Sequence, residues 1–272
     1  MGKRTSLSLI EKQITDRLGE ERLNNQDCPM IIIKYNNYRD VIVQFQDEYK
    51  AEVHTTYKHF SKGEVKNPYA PSVYDIGMIG NKYATSINKK HTREYLCWRC
   101  MLERCYSDLY KNKHRTYENV VCCNEWLLYE NFYEWLHSQP NFDKWLNGHR
   151  WAIDKDIFIK GNKIYSPETC CLVPSNVNGL FVGCNTERNE FPIGVSYHKA
   201  TQKYRAEISK YNNGKYISEH IGLYDTAEKA FLAYKKEKES YIKQVAEIEY
   251  NKGNITNECY EAMINYEVEI TD

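Results

Sequence analysis

The spacing of apolar residues predicts a change from helix to strand early in the chain. Apolar side chains recur at every fourth position near the N-terminus, which indicates a helix within residues 1–25. Three runs rich in β-branched and aromatic residues follow, separated by polar turns. They span residues 30–35, 40–45 and 50–57. These runs predict a small β-meander or barrel, so residues 1–82 are expected to form a β-rich module.

The apolar pattern returns to helical spacing between residues 91 and 145. The first helical stripe is expected at Leu96, Cys100, Leu102 and Cys105. The second stripe is aromatic. It comprises Trp126, Tyr129, Phe132, Trp135 and Leu136. An aromatic stripe could stack on bases, but spacing of three and four residues favours a face buried in a hydrophobic core.

The stretch "WAIDKDIFIKGNKIYSPETCCLVPSNVNGLF", residues 151–181, has the outline of two short strands followed by a helix. Carboxylate and amide side chains converge in it, enough to hold one hard cation. They are Asp154, Asp156, Asn162, Asn176 and Asn178. Lys155 lies between the two acids, where its ammonium could contact a phosphate.

Residues 192–246 contain three alternating runs and then a helical pattern that Thr226 can cap. The two-residue period of a strand places Tyr204, Ala206 and Ile208 on one face. The opposite, outward face is expected to carry polar side chains. They are Ser196, His198, Lys203, Arg205, Glu207, Ser209, Ser218 and His220. Val195, Tyr197, Ile217 and Ile221 are expected to point inward.

Composition narrows the classes of protein that fit these segments. The 272 residues hold 37 Lys+Arg and 37 Asp+Glu, so the chain is not a simple polycation, although residues 192–246 carry ten basic against six acidic residues. No apolar run is long enough to span a membrane, and the N-terminus lacks the apolar core of a signal peptide. With 10 cysteines and no secretion signal, reduced thiols and a cytoplasmic location, in a host cell, are expected.

The 151–181 stretch resembles the hairpin of HNH (His-Me finger) endonucleases of phages and mobile elements. The matching positions are Asp154–Asp156, Gly161–Asn162, Tyr165–Glu168, Cys170 and Asn178. The helical segments upstream are also similar to that family, so the resemblance covers residues 91–181. Two positions depart from it, because Lys155 stands at the first histidine of the motif and Thr169 at its central asparagine.

The resemblance implies a metal-dependent hydrolase that cleaves phosphodiester bonds. A Mg²⁺ or Mn²⁺ ion would be held by Asp154, Asp156 and Asn178, while Lys155 contacts the phosphate and Asn162 contacts DNA. His149 is a candidate for the missing base. A structural zinc ion on Cys105, Cys123 and Cys170 is a further hypothesis, although buried free cysteines are the commoner arrangement.

Residues 191–246 resemble an AP2 DNA-binding domain, in the runs "GVSYHK", "KYRAEI" and "HIGLYDTAEKAFLAY". The resemblance implies that the three-stranded sheet lies in the major groove of double-stranded DNA with a helix behind it. Arg205 could then pair with guanine and Glu207 with cytosine. Lysines at the sheet would hold phosphates. They are Lys199, Lys203, Lys210 and Lys215.

Together these features predict a multidomain α+β protein: an N-terminal β-unit, a helical lead-in with a ββα-metal hairpin, and an AP2-like sheet with its helix. Residues 247–272 carry seven acids against Lys252, which indicates a solvated tail or a contact for a basic protein partner.

Two functions stay open: a DNA endonuclease targeted by the AP2-like sheet, or a catalytically inactive protein of this architecture that binds DNA or protein, such as a phage regulator or an inhibitor of a host nuclease.

Overall fold

The computed structural model describes residues 16–148, 150–181, 191–212 and 214–270. The fold is α+β, with several separate sheets. The chain forms two compact units, and each unit is made of two stretches of sequence. Unit 1 comprises Met1–Ser107 and Asn124–Glu134, and unit 2 comprises Asp108–Cys123 and Trp135–Asp272.

Unit 1 begins with a four-stranded antiparallel sheet whose strands are neighbours in chain order. The strands are β1 (Glu21–Leu23), β2 (Pro29–Asn37), β3 (Asp40–Phe45) and β4 (Glu52–Thr55). Alternate residues such as Val41, Val43 and Phe45 are fully buried in its core. The helix expected within residues 1–25 does not extend to Glu21–Leu23, because Gly19 at φ +83° turns the chain into β1. Residues 1–15 lie outside the described residues.

Helices and a short hairpin complete unit 1. They are α1 (Tyr57–Ser61), β5 (Ser86–Ile87), β6 (Lys90–His91), α2 (Arg93–Tyr106), a 3₁₀ turn (Asn124–Leu127) and the first part of α4 (Tyr129–Ser138). The aromatic stripe of Trp126, Tyr129 and Phe132 is buried, as its spacing predicts. The stripe expected on α2 was wrong at Leu96 and Cys100, which are exposed. The buried face of α2 includes the expected Leu102 and Cys105, together with the larger side chains Tyr95, Trp98 and Met101.

Unit 2 contains the predicted strand–strand–helix segment. Its elements are α3 (Asp108–Lys113), a 3₁₀ turn (Arg115–Tyr117), β7 (Val121–Cys122), α5 (Phe142–Asn147), β8 (Trp151–Asp154), β9 (Ile164–Tyr165), β10 (Cys171–Pro174) and α6 (Ser175–Phe181). Strand β8 pairs antiparallel with β10, and β9 pairs parallel with β7. Helix α6 follows β10 directly, which gives a ββα arrangement.

The second half of unit 2 is a three-stranded antiparallel sheet backed by a long helix. The strands are β11 (Val195–His198), β12 (Lys203–Asn212) and β13 (Lys215–Tyr224), and the helices are α7 (Ala227–Asn251) and α8 (Asn257–Ile264). The predicted cap of α7 is confirmed, since the Thr226 side chain accepts a hydrogen bond from the Lys229 amide.

One hydrophobic core joins the ββα segment, the sheet and the C-terminal residues of unit 2. Val173 and Val177 come from the ββα segment, Ile208 from the sheet, and Met263 from α8. The acidic segment 247–272 is therefore not a solvated tail as expected, because several of its apolar residues, Met263 among them, are buried in this core. Its acids also find internal partners: Glu249 accepts hydrogen bonds from Asn176, Lys252 and Asn254.

In the part of the chain that the structure covers, no helix combines the length and apolar character needed to cross a bilayer.

Candidate nucleic-acid interface

The β12 strand separates apolar from polar side chains by simple alternation. Ala206 and Ile208 are buried beneath α7, whereas Lys203 and Ser209 are exposed on the opposite face. Since paired residues of antiparallel strands share a face, the register extends this polar face to the neighbouring strands. It pairs Ser196 with Arg205, His198 with Lys203, Glu207 with His220, and Ser209 with Ser218. We call this set the sheet face.

Arg205 lies at the centre of the sheet face. Its Nε donates to Ser196 Oγ at 3.4 Å, and its guanidinium pairs with Glu207 Oε2 at 2.9 Å. Both charged side chains are about one-third exposed, at 38% and 33%. This network holds a donor fork and a carboxylate next to each other on an accessible surface.

A β-bulge changes the alternation on β13. The register shifts between Ala206, opposite Gly222, and Glu207, opposite His220, so Ile221 has no paired residue. Leu223 therefore lies opposite Arg205 on the sheet face. A strict two-residue period assumes that every residue is paired, so it does not predict the extra residue of a bulge.

Three side chains differ from the expected arrangement. Lys210 was expected at a phosphate, but it lies on the helix side, where it pairs with Glu219 and with Glu237 of α7, each at 2.8 Å. Tyr197 and Ile217 share the inner face by register, yet they are 43% and 48% exposed. They lie near the sheet ends, where the core gives less cover.

Sequence reasoning missed two tyrosines and an arginine at the far end of the sheet. Tyr211 and Tyr216 are opposite each other, and their rings meet edge to face with centroids 5.2 Å apart. The Arg150 guanidinium donates to the Tyr211 hydroxyl. The same alternation that marks Arg205 also marks Tyr211, so this signal was present in the sequence.

The carboxylate of Asp154 is held by the turn that follows β8. Its Oδ1 accepts hydrogen bonds from the amides of Asp156 at 2.7 Å and Ile157 at 2.9 Å. The residue is only 5% exposed. Burial, partly offset by those two amides, raises the pKa of Asp154 to about 6.

Lys155 is buried, and its ammonium contacts the carboxylate of Asp156, one of the expected metal ligands. Its Nζ donates to both carboxylate oxygens of Asp156, at 2.7 and 2.8 Å, and to the Asn162 carbonyl at 2.7 Å. The Tyr165 ring centroid lies 5.9 Å from the ammonium. An ammonium ion surrounded by three oxygen atoms is thus built into the hairpin.

The side chain of Asn162 closes the same loop rather than facing outward. Its Nδ2 donates to the carbonyls of Lys155 and Ile164, and its Oδ1 accepts from the Ile164 amide. Asn178 is partly buried on α6. His149, the candidate base, lies outside the described residues.

The residues present do not fit a divalent metal. Of the expected ligands, Asp156 is neutralised by the Lys155 ammonium, and Oδ1 of Asp154 is used by two amides. In the described ranges there is no group of three or more His, Cys, Asp or Glu side chains placed to hold a metal. Mg²⁺ would have to compete with a built-in ammonium for the same carboxylate.

The cysteines of the zinc hypothesis belong to different units. Cys105 lies in unit 1, while Cys123 and Cys170 lie in unit 2. Burial raises the pKa of the Cys170 thiol to about 12, so a zinc ion would have to displace the proton of a buried thiol.

Comparison of the chain with protein-family models, with curated proteins and with solved structures gives no match.

Proposed function

We propose that this protein binds double-stranded DNA sequence-specifically through the sheet face. A single observation carries the proposal: one accessible face of a three-stranded sheet displays Arg205, Glu207 and His220 while the other face packs against a helix. The major groove is wide enough to admit β-strands, and its base edges present distinct donor and acceptor patterns.

Three side chains of the sheet face have a defined role in this proposal. The Arg205 fork matches the O6 and N7 acceptors of guanine, and the Glu207 carboxylate can accept from the amino group of cytosine. In free protein the two neutralise each other at 2.9 Å, so binding exchanges this ion pair for two base contacts. Lys203, which pairs with the exposed Asp225 at 3.1 Å, lies at the edge and can turn to a phosphate.

The test begins with selection of a preferred duplex from a randomised pool, followed by fluorescence anisotropy titrations. Replacing Arg205 with alanine should reduce discrimination between the preferred duplex and one with a changed guanine by about 1–3 kcal/mol. The matched control is Arg39→Ala, since Arg39 lies on an exposed turn of unit 1. Equal discrimination by Arg205→Ala and wild-type protein would refute the assignment of the sheet face.

DNA cleavage by the ββα segment is the second candidate function. The raised pKa of Asp154 is the observation that favours it. A carboxyl group whose pKa is about 6 at the end of a strand is suited to take a proton from water near neutral pH. The positive charge of Lys155 lowers the pKa of Asp154, but burial raises it by more. In this candidate function Asp154 acts only as the base.

A plasmid nicking assay separates binding from cleavage. Supercoiled plasmid is incubated with wild-type protein in Mg²⁺, in Mn²⁺ or with a chelator, and nicked circles are quantified. If the second candidate is right, Asp154→Asn abolishes nicking and leaves the anisotropy titration unchanged. Intact plasmid in all three conditions, together with normal duplex binding, would leave a binding protein without nuclease activity.

A further inference from the structure

A short hairpin in unit 1 has a turn in which two non-glycine residues adopt positive φ. Strands β5 and β6 pair Ser86 with His91 and Ile87 with Lys90, which leaves Asn88 and Lys89 as a two-residue loop. Both loop residues have positive φ, at 50° and 63°. This conformation is typical of the type I′ turn that suits tight hairpins.

The second position of the turn holds a residue that its backbone does not favour. Type I′ turns prefer Asn-Gly, because glycine adopts positive φ without steric cost. Asparagine fits the first position here, but Lys89 replaces the favoured glycine. Strained non-glycine residues of this kind are found more often at functional sites, where another requirement outweighs the backbone cost.

The charge of this region is one-sided. Residues 81–93 contain three lysines and one arginine and no acidic residue, a net charge of +4. Lys82 is partly neutralised by its ion pair with Glu134. Within the part of the chain that is described, neither Lys89 nor Lys90 takes part in an ion pair, and both are exposed.

We propose that the basic hairpin, residues 86–91, is a second nucleic-acid contact that binds the phosphate backbone of a duplex. Lys89 lies in the two-residue turn, and Lys90 follows it in β6, opposite Ile87, which is 63% exposed. Lysines without an acidic partner gain most from a dense line of phosphates, since bound counterions are released from the DNA. The inference rests on the proposed function, because the ligand is of the same class, double-stranded DNA.

The double variant Lys89→Gly/Lys90→Gln tests the basic hairpin without weakening its turn. Glycine suits the positive φ of residue 89, so the melting temperature should stay equal or rise. Two lost phosphate contacts should reduce the slope of log K against log salt by about 1.8. The wild-type advantage in affinity should accordingly shrink about 12-fold between 50 and 200 mM salt. Discrimination between duplexes should not change, because phosphates carry no sequence information.

The matched control removes the same charge from α7. Lys236→Gln/Lys243→Gln alters two exposed lysines and should leave the salt slope at its wild-type value. An unchanged slope in the hairpin variant overturns the basic hairpin while the proposed function of the sheet face stands. Failure of wild-type protein to bind any duplex at low salt overturns both proposals. Reduced binding of the hairpin variant to vesicles with anionic lipid, with duplex binding intact, assigns the hairpin to a membrane surface instead.

Discussion

At the scale of single residues, neighbouring side chains with the same sequence signature have different physical roles. Asp154 is buried and holds two amides of its own turn, whereas Asp156 is partly exposed and pairs with Lys155. The sequence places both acids in one motif. Burial raises the pKa of Asp154, whereas the Asp156 carboxylate is held by an ion pair with the Lys155 ammonium.

The raised pKa of Asp154 predicts how stability depends on pH. Folding shifts this pKa from its ordinary 3.8 to about 6, so the folded state retains a proton that the unfolded state releases. The contribution to stability is therefore present below about pH 4 and is lost as pH rises through about pH 6. Its full size is about 3 kcal/mol, as an order of magnitude.

Asp154→Asn removes this titration while keeping an oxygen that can accept from the two amides. In urea unfolding, the variant should gain about 3 kcal/mol relative to wild type between about pH 4 and pH 7. Parallel stability curves for the two proteins across that range would contradict the shifted pKa.

At the scale of elements, the loop between β8 and β9 is closed by side chains rather than by a long strand ladder. The Lys155 ammonium and the Asn162 amide together tie both sides of the loop to each other. Gly161, at φ +70°, allows the chain to reverse between them. A cation inside the loop thus comes from the chain itself, since the Lys155 ammonium bridges the Asp156 carboxylate and the Asn162 carbonyl.

Replacing Lys155 with methionine should destabilise the protein by about 1–3 kcal/mol, because the Asp156 carboxylate and the Asn162 carbonyl lose a charged donor. Urea unfolding measures this loss. The control is Lys199→Met, at an exposed lysine, which should change stability by less than about 0.5 kcal/mol.

A chelator should leave the wild-type melting temperature unchanged, and a clear drop would indicate that a bound metal supports the loop after all.

Strand β12 shows what the alternation of apolar and polar residues predicts and what it does not. The alternation along β12 identified Ala206 and Ile208 as the buried face, and it places Lys210 there too. Lys210 was nevertheless expected at a phosphate because of its charge alone. The partners that draw it to the helix side, Glu219 and Glu237, come from β13 and α7 and are distant in sequence.

At the scale of the whole molecule, the equal numbers of acidic and basic residues conceal local differences in charge. The basic hairpin of unit 1 carries lysines without acidic partners among the described residues, while Glu249 and Glu269 of the acidic C-terminal segment pair with lysines of unit 2. A net charge of zero therefore excludes a uniform polycation but not a DNA-binding surface.

The sequence by itself determined the features that depend on neighbours along the chain: the strands of the meander, the aromatic helix face, the Thr226 cap and the buried side of β12. Period and capping chemistry act over a few residues, so they are visible in a linear pattern. Only the tertiary structure decided that Lys155 holds Asp156 inside a loop, that a bulge offsets β13, and that the acidic C-terminal segment packs into a core. Those outcomes depend on burial and on partners distant in sequence, which the local spacing of apolar residues does not predict.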